Sequence, residues 1–277
     1  MGIDSGIVHR MVHESVTALV GTRSTDDAWR ELFGPKDVVG IKINCLSGRM
    51  LSSHPAIVEG IIQGLRKAGL PDDNIIVWDR FLRELEAAGY ELNVSERGVK
   101  YAGTDAQGYG YTSEPILFRS IGSCFSRILT SKCNAIISVP VLKDHNLAGI
   151  TLNLKNFYGV VQKPSIYHDN ACDPYIADLN AHPLIKDRMR LIVCDALIGV
   201  YDGGSYRPDR TWRYAGILAS TDPVAIDRVG ANIIEAKRTG AGLKPLKEEG
   251  REPVHIRTAA KLGVGCDDPD KIELIEV

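Results

Sequence analysis

The sequence predicts an α/β fold: a mostly parallel open sheet with helices on both faces and a small inserted irregular or β-segment. Three observations predict it. Short apolar, β-branched runs alternate with stretches of helical periodicity along most of the chain. The first such connection, from Val38 through a helix to Trp78, is long enough for parallel pairing with a right-handed crossover. No internal repeat or low-complexity linker divides the 277 residues, so residues 1–277 are expected to form a single α/β domain with an insertion at 90–120.

In chain order, Val8 to Val20 carries the first helical pattern and Asp26 to Phe33 a shorter amphipathic one. Gly34-Pro35 breaks the chain before Val38-Val-Gly-Ile-Lys-Ile-Asn44, a buried strand. Ser53 is placed to cap the next helix and Pro55 lies in its first turn. Ile57, Val58, Ile61, Ile62 and Leu65 form one apolar face, and Gly69 stops it. Ile75 to Trp78 is a second strand, ending at Asp79. Residues 98–115 are rich in Gly, Tyr, Thr and Ser and read as a β-excursion or a long loop. A helix near Ile121 to Ser131 and a strand over Ala135 to Val141 follow. Next come a helix near Pro174 to Asp187 and strands at Arg190 to Cys194 and Ala215 to Ala219. A helix over Asp222 to Lys237, capped by Ser220 or Thr221, a helix over Val254 to Leu262 and a strand over Ile272 to Val277 close the chain.

The composition is ordinary, with 44% hydrophobic and 25% charged residues and a formal net charge of −2. No basic excess points to nucleic acid, and no apolar run approaches the roughly 20 residues of a membrane-spanning helix. Met1 to Thr22 lacks the layout of a secretory signal, so the cytoplasm is the default address, with export expected only for a chain whose leader has been removed. Neither nucleic acid nor membrane is an expected partner, and the sequence assigns no oligomeric state. The six cysteines are scattered without a C-x-x-C pair, so no iron–sulfur motif is expected. Cys194 reads as a strand residue, and Cys45, at a strand end, is the best placed for a thiol nucleophile.

The segment from Ser138 to Gly159 carries the densest chemistry. A β-rich run stops, and Lys143, His145, Asn146, Asn153, Lys155 and Asn156 follow closely. Strand ends of open α/β sheets are where ligands sit, and cationic and amide side chains there favour an anion. Other strands end in Lys42 and Asn44, in Asp79 and in Asp195, so distant residues are expected to converge along one edge. Ser53 and His54 at a helix start add a hydroxyl and an imidazole, which the helix terminus holds neutral. Asp227, early in its helix, needs a partner if buried, with Lys42 or Lys143 as candidates. The stretch with Tyr201, Asp202-Gly203-Gly204, Tyr206, Arg207 and Arg210 reads as a substrate-covering loop or as plain turn chemistry. His9, His13 and His255 read as surface residues on helices.

Five of these pieces resemble the domain of unknown function 362 family of bacteria and archaea. They are Val39-Gly-Ile-Lys-Ile-Asn44, Ser53-His-Pro55 with its helix to Gly69, Val141-Leu-Lys-Asp-His145, Leu154-Lys-Asn-Phe-Tyr-Gly159 and Ala219-Ser-Thr-Asp-Pro-Val-Ala-Ile-Asp227. Some members of that family carry a ferredoxin-like cysteine module or a twin-arginine leader; this chain has neither motif. The layout is also distantly similar, at the level of fold, to the nickel-cofactor lactate racemases.

These observations lead to an expected enzyme acting on a small anionic metabolite in a cleft at the C-terminal ends of the strands. His145, His54 and Lys143 are the expected catalytic groups, and Lys42, Asn44, Ser53, Lys155 and Asn156 the ligand-binding ones. A divalent metal on Asp79, Asp195 and Asp227 is an optional part of that expectation; no other cofactor is named. The alternatives are a non-catalytic binding or delivery protein for an anionic ligand or cofactor, and thirdly a redox protein.

Overall fold

A computed structural model describes residues 2–204 and 207–277. Helix α1 (Ser5–Val20) starts where the Asp4 side chain accepts the Ile7 N–H and stops at Gly21, in the left-handed region. Val8, Val12 and Val16, four apart, form its buried stripe. Helix α2 (Thr25–Leu32) precedes β1 (Val39–Ile43), every residue of which is buried. Then follow α3 (Pro55–Lys67), β2 (Ile75–Asp79), α4 (Leu82–Ala88) and β3 (Lys100–Gly103). Strands β1 and β2 pair in parallel, Val39 opposite Ile75 and Lys42 opposite Trp78. Residues 98–115 divide between the two readings: β3 joins the sheet beside β2, and residues 104–115 run on as turns and loop with a single bridge at Tyr111.

Strands β4 (Ile116–Phe118) and β5 (Ile121–Ser123) form a separate hairpin. The helix expected near Ile121 to Ser131 is therefore a strand followed by a π-helical turn at Ile128–Lys132. Long-range backbone bonds explain the difference: Thr112 N–H donates to Phe125 O and Ser126 N–H to Val160 O, which holds the segment out of a helix. The remaining elements are β6 (Ala135–Val139), β7 (Val141–His145), β8 (Gly149–Thr151), α5 (Asn153–Asn156), α6 (Tyr175–Asn180) and α7 (Pro183–Lys186). After them come β9 (Met189–Val200), β10 (Thr211–Ser220), α8 (Pro223–Gly240) and α9 (Val254–Lys261).

The main sheet runs β3-β2-β1-β6-β9-β7-β8, with β10 also paired to β9. It is mostly parallel; β8 and β10 are the antiparallel additions. Strand β9 is the spine. Strand β10 covers it from Ile192 to Val200 on one edge, so β6 and β7 share the other edge end to end. The step between them is Pro140, which has no N–H to give and whose carbonyl accepts from Asp195 N. The single strand expected over Ala135 to Val141 is thus two, and Lys143 lies inside the second rather than beyond a strand.

Neighbouring residues of one strand feed opposite apolar clusters. Val77, Ile137 and Val193 pack with the helices before the sheet's midpoint, and Trp78, Ile136 and Ile192 with those after it. Helices therefore cover both faces, as the period of two requires. Several expected boundaries move. The helix near Pro174 to Asp187 is two, because His182 accepts the Leu184 N–H and Pro183 opens a new helix. Asp222, not Ser220 or Thr221, caps α8 by accepting the Val224 and Ala225 N–H groups. His54, not Ser53, caps α3. Residues 272–277 form no strand, having no ladder partner among the described residues, and run along a groove lined by α1, β10 and α8. No helix among the described residues is long and apolar enough to cross a membrane.

Candidate functional site

Strands β1, β2 and β7 bring their polar residues to one end of the sheet. Lys42 is 1% exposed, and its Nζ donates to Asp79 Oδ1 (2.7 Å), Ile43 O (2.6 Å) and Asn156 Oδ1 (3.3 Å). All three ammonium hydrogens are thereby used. Asp79 also accepts the Cys45 N–H at 2.7 Å and the Arg80 N–H at 2.8 Å. This ion pair is internally saturated, which suits a structural anchor. The chain at Gly159 passes so close that a Cβ there would sit 2.9 Å from Lys42 Cε and 3.0 Å from Asp79 Oδ1. Only glycine fits beside the intact pair.

The network continues outward through amides. Asn156 donates from Nδ2 to Lys42 O and Ser138 Oγ, both at 3.1 Å, and takes a long bond from Asn44 Nδ2 at 3.4 Å. Asn44 Oδ1 then accepts from Lys143 Nζ at 2.8 Å. Lys143 is 2% exposed and belongs to no ion pair among the described residues. Burial pushes its amine down to about 8, with Lys155 and Lys42 adding repulsion against the opposing pull of Asp79.

Lys155, in the short helix α5, is also nearly buried. Its Nζ lies 3.1 Å from His168 Nε2 and 4.1 Å from the Tyr158 ring centroid. His168 Nδ1 is 2.9 Å from Pro164 O, so that nitrogen carries the proton and Nε2 accepts from the lysine. No carboxylate pairs with Lys155 among the described residues, and burial pushes its amine down to about 8. His145 stands beside this pair, its ring 5.8 Å from that of His168. Its Nδ1 accepts the Leu147 and Ala148 N–H groups, both at 3.1 Å. Burial first, then the charges of Lys155 and neighbouring groups, push it down to about 3, so it is a neutral imidazole with the proton on Nε2.

Ser53 and His54 lie at the mouth of α3. Ser53 Oγ accepts the Asn44 N–H at 2.8 Å and donates to Val139 O at 2.6 Å, fixing the loop after β1. His54 Nδ1 accepts the Ala56 N–H at 3.2 Å, and burial lowers its pKa, so this imidazole too is a neutral cap. Asp195 binds the His54 and Leu197 N–H groups at 2.8 and 3.0 Å. Burial pushes its carboxyl up to about 6 against those two donors. A cavity of about 470 Å³ opens here between the loop after β1, the start of α3 and strand β9.

Asp227 meets neither lysine. Its two oxygens accept the Asn153 N–H at 2.8 Å and the Leu154 N–H at 3.1 Å, so the partner is the amino end of α5. Asp79, Asp195 and Asp227 consequently serve three separate places. Among the described residues no three His, Cys, Asp or Glu side chains are grouped to hold a metal ion. Cys45 is buried and its thiol is pushed well up by burial and Asp79, which removes the thiolate a nucleophile needs. In the loop after β9, Asp202 pairs with Arg238 and Arg251, and Arg210 lies 3.8 Å from Asp202; Tyr206 lies outside the described residues.

Sequence reasoning missed Ser138, Tyr158 and His168, and misjudged His255. Ser138 carried a signal, a hydroxyl inside a buried apolar run, as Lys42 did in its strand. His168 carried none, since it reaches Lys155 through irregular turns at Phe157–Val160 and Pro164–Tyr167. His255 is 1% exposed rather than on the surface, and neither ring nitrogen has a hydrogen-bond partner among the described residues.

Fold and site together define an α/β protein with a buried lysine–amide network at its strand ends. The family model described as Domain of unknown function (DUF362) matches residues 39–232, a span containing every residue of that network, and the chain belongs to this family. A crystal structure of a protein from Thermotoga maritima is similar at 12% identity and a TM-score of 0.47, over 83% of this chain and 59% of that one. This chain therefore spans less than two thirds of that protein's length. No curated protein matches the chain.

Proposed function

We propose that the protein is an enzyme acting on a small anionic metabolite at the ends of β1, β2 and β7. The observation that carries this reading is the state of Lys143 and Lys155. Both are nearly buried, at 2% and 7% exposure, and neither forms an ion pair among the described residues. An uncompensated buried ammonium is costly, and a carboxylate or phosphate between the two would offset that cost. Asn44 orients the ligand, held in place by Asn156, whose amide is fully engaged with Lys42, Ser138 and Asn44, while His145 and His54, both neutral, offer Nε2–H donors rather than bases. With its amine near 8, Lys143 carries appreciable populations of both forms near neutral pH and serves as the proton-transferring group.

The commitment of both histidine Nδ1 atoms to turn caps favours a second reading, a carrier that uses the same anchors without turnover. Calorimetric titration with phosphates, carboxylates and nucleotides, followed by product analysis for each binder, separates the two. Lys143→Met is expected to weaken the best binder about 10- to 100-fold, the equivalent of one charge-assisted hydrogen bond. Affinity is also expected to fall as pH rises through about 8, because the amine that holds the anion loses its proton there. Unchanged affinity in Lys143→Met would sink its anchoring role.

A further inference from the structure

We propose that Lys155 is a nucleophile that forms an imine with the carbonyl group of an anionic substrate, with His168 as its base. This rests on the anion reading above and names the substrate class, a carbonyl compound that carries a carboxylate or phosphate. The observation is an ordered chain of contacts. Lys155 Nζ lies 3.1 Å from His168 Nε2, and His168 Nδ1 lies 2.9 Å from Pro164 O. A nucleophile within hydrogen-bond reach of a base, itself oriented by a third group, is the arrangement that activates an amine. The contrast with the other two buried lysines is direct. Lys42 meets the Asp79 carboxylate, and Lys143 meets an amide oxygen that takes no proton. Lys155 meets an imidazole lone pair that does.

The surroundings keep the proton of this amine mobile. Tyr158, Cys172, His145 and His255 are held neutral by burial, so none supplies a negative charge to fix an ammonium. Burial pushes Lys155 itself down to about 8, which leaves the nucleophilic form well populated near neutral pH. The pair can be reached from solvent, because His168 is half-buried and lies among exposed Ser165, Ile166 and Asp169. It also lies beside the anion anchor. Asn156, the residue after Lys155, accepts from Asn44, which in turn accepts from Lys143. The His145 ring, two residues from Lys143 on β7, stands 5.8 Å from that of His168.

In the step, Lys155 gives one ammonium proton to His168 Nε2. The freed lone pair forms an N–C bond to the carbonyl carbon while the C=O π pair moves to oxygen, and a proton passes from nitrogen to that oxygen. The imidazolium then gives its proton to the hydroxyl, the C–O bond breaks and water leaves. The nitrogen lone pair closes the C=N bond of a protonated imine. Ammonium and carbonyl thus become iminium and water, with His168 neutral again. The Tyr158 ring, 4.1 Å from Nζ, faces a cation at both ends of the step.

The test adds sodium cyanoborohydride, which reduces an imine in place, to the full chain with pyruvate or dihydroxyacetone phosphate. Acetone and dihydroxyacetone serve as the uncharged counterpart of each. Peptide mass mapping is expected to place the reduced adduct on Lys155. It is expected to form about 10-fold faster or more with an anion than with its uncharged counterpart, the equivalent of one charge-assisted hydrogen bond at Lys143. Its rate is expected to rise with pH and level off above about 8, not near the ordinary lysine value of about 10.4. His168→Gln, which keeps an acceptor but takes no proton, is expected to slow trapping about 100-fold while pyruvate still binds in calorimetry. Binding that depends on Lys143 with no adduct on Lys155 overturns the imine inference and leaves the anion site standing. An adduct found on other lysines only, and undiminished in Lys155→Met, overturns it too. Equal trapping of charged and uncharged compounds, unaffected by Lys143→Met, overturns the substrate class together with the anion reading. If no compound binds or reacts, both readings fall.

Discussion

Replacing Asp79 with alanine is expected to destabilise the protein by about 3–5 kcal/mol in urea denaturation, the range for breaking a buried pair from one side. The size follows from what Asp79 holds. It accepts from Lys42 at 2.7 Å and from two backbone N–H groups, and Lys42 and Asp79 are 1% and 4% exposed. Alanine leaves an ammonium with no carboxylate partner and two N–H groups without acceptors. The paired variant Lys42→Met with Asp79→Leu is expected to recover part of the loss, because it removes the stranded charge as well. A loss below about 1 kcal/mol in Asp79→Ala would show the pair to be dispensable.

Asp227→Ala is expected to cost about 2–6 kcal/mol, since two buried N–H groups each lose an acceptor at about 1–3 kcal/mol apiece. The loss has a structural consequence as well, because those groups begin α5, the helix that carries Lys155 and Asn156. Burial raises the Asp227 carboxyl from 3.8 to about 8. A group whose pKa is raised on folding favours the folded state most below its unfolded value. That contribution is lost as pH rises from about 4 through about 8. Asp227→Asn, which keeps one acceptor and cannot ionise, is expected to flatten this part of the stability–pH curve. An unchanged slope in Asp227→Asn would contradict the assignment.

The first half of the fold was legible because each strand and helix there is a local pattern. Val39–Ile43, Pro55–Lys67 and Ile75–Asp79 lie within a residue or two of the readings that periodicity and breakers supply. The second half was harder because its form depends on contacts distant in sequence. Pro140 splits a run that looks continuous, since β9 needs the Pro140 carbonyl for Asp195. The hairpin at Ile116–Ser123 depends on partners that no local pattern names. In the site, Lys42, Asn44, Lys143, Lys155 and Asn156 stood out as polar residues in apolar company, and they do lie together in one region. Their pairing was not legible: Asp227 meets backbone amides, and His168 reaches Lys155 through irregular turns. Which carboxylate meets which lysine is decided by strand order, and strand order is a long-range property.

The most direct test of the anion-site account is the titration of Lys143 itself, followed by NMR of the lysine side-chain carbons in protein labelled at lysine, with Lys143→Met to assign the signal. The Lys143 amine is expected to titrate at about 8 in the free protein and to move upward when a bound carboxylate or phosphate stabilises the ammonium. An amine that titrates at the ordinary lysine value of about 10.4, and that no anion shifts, would contradict it.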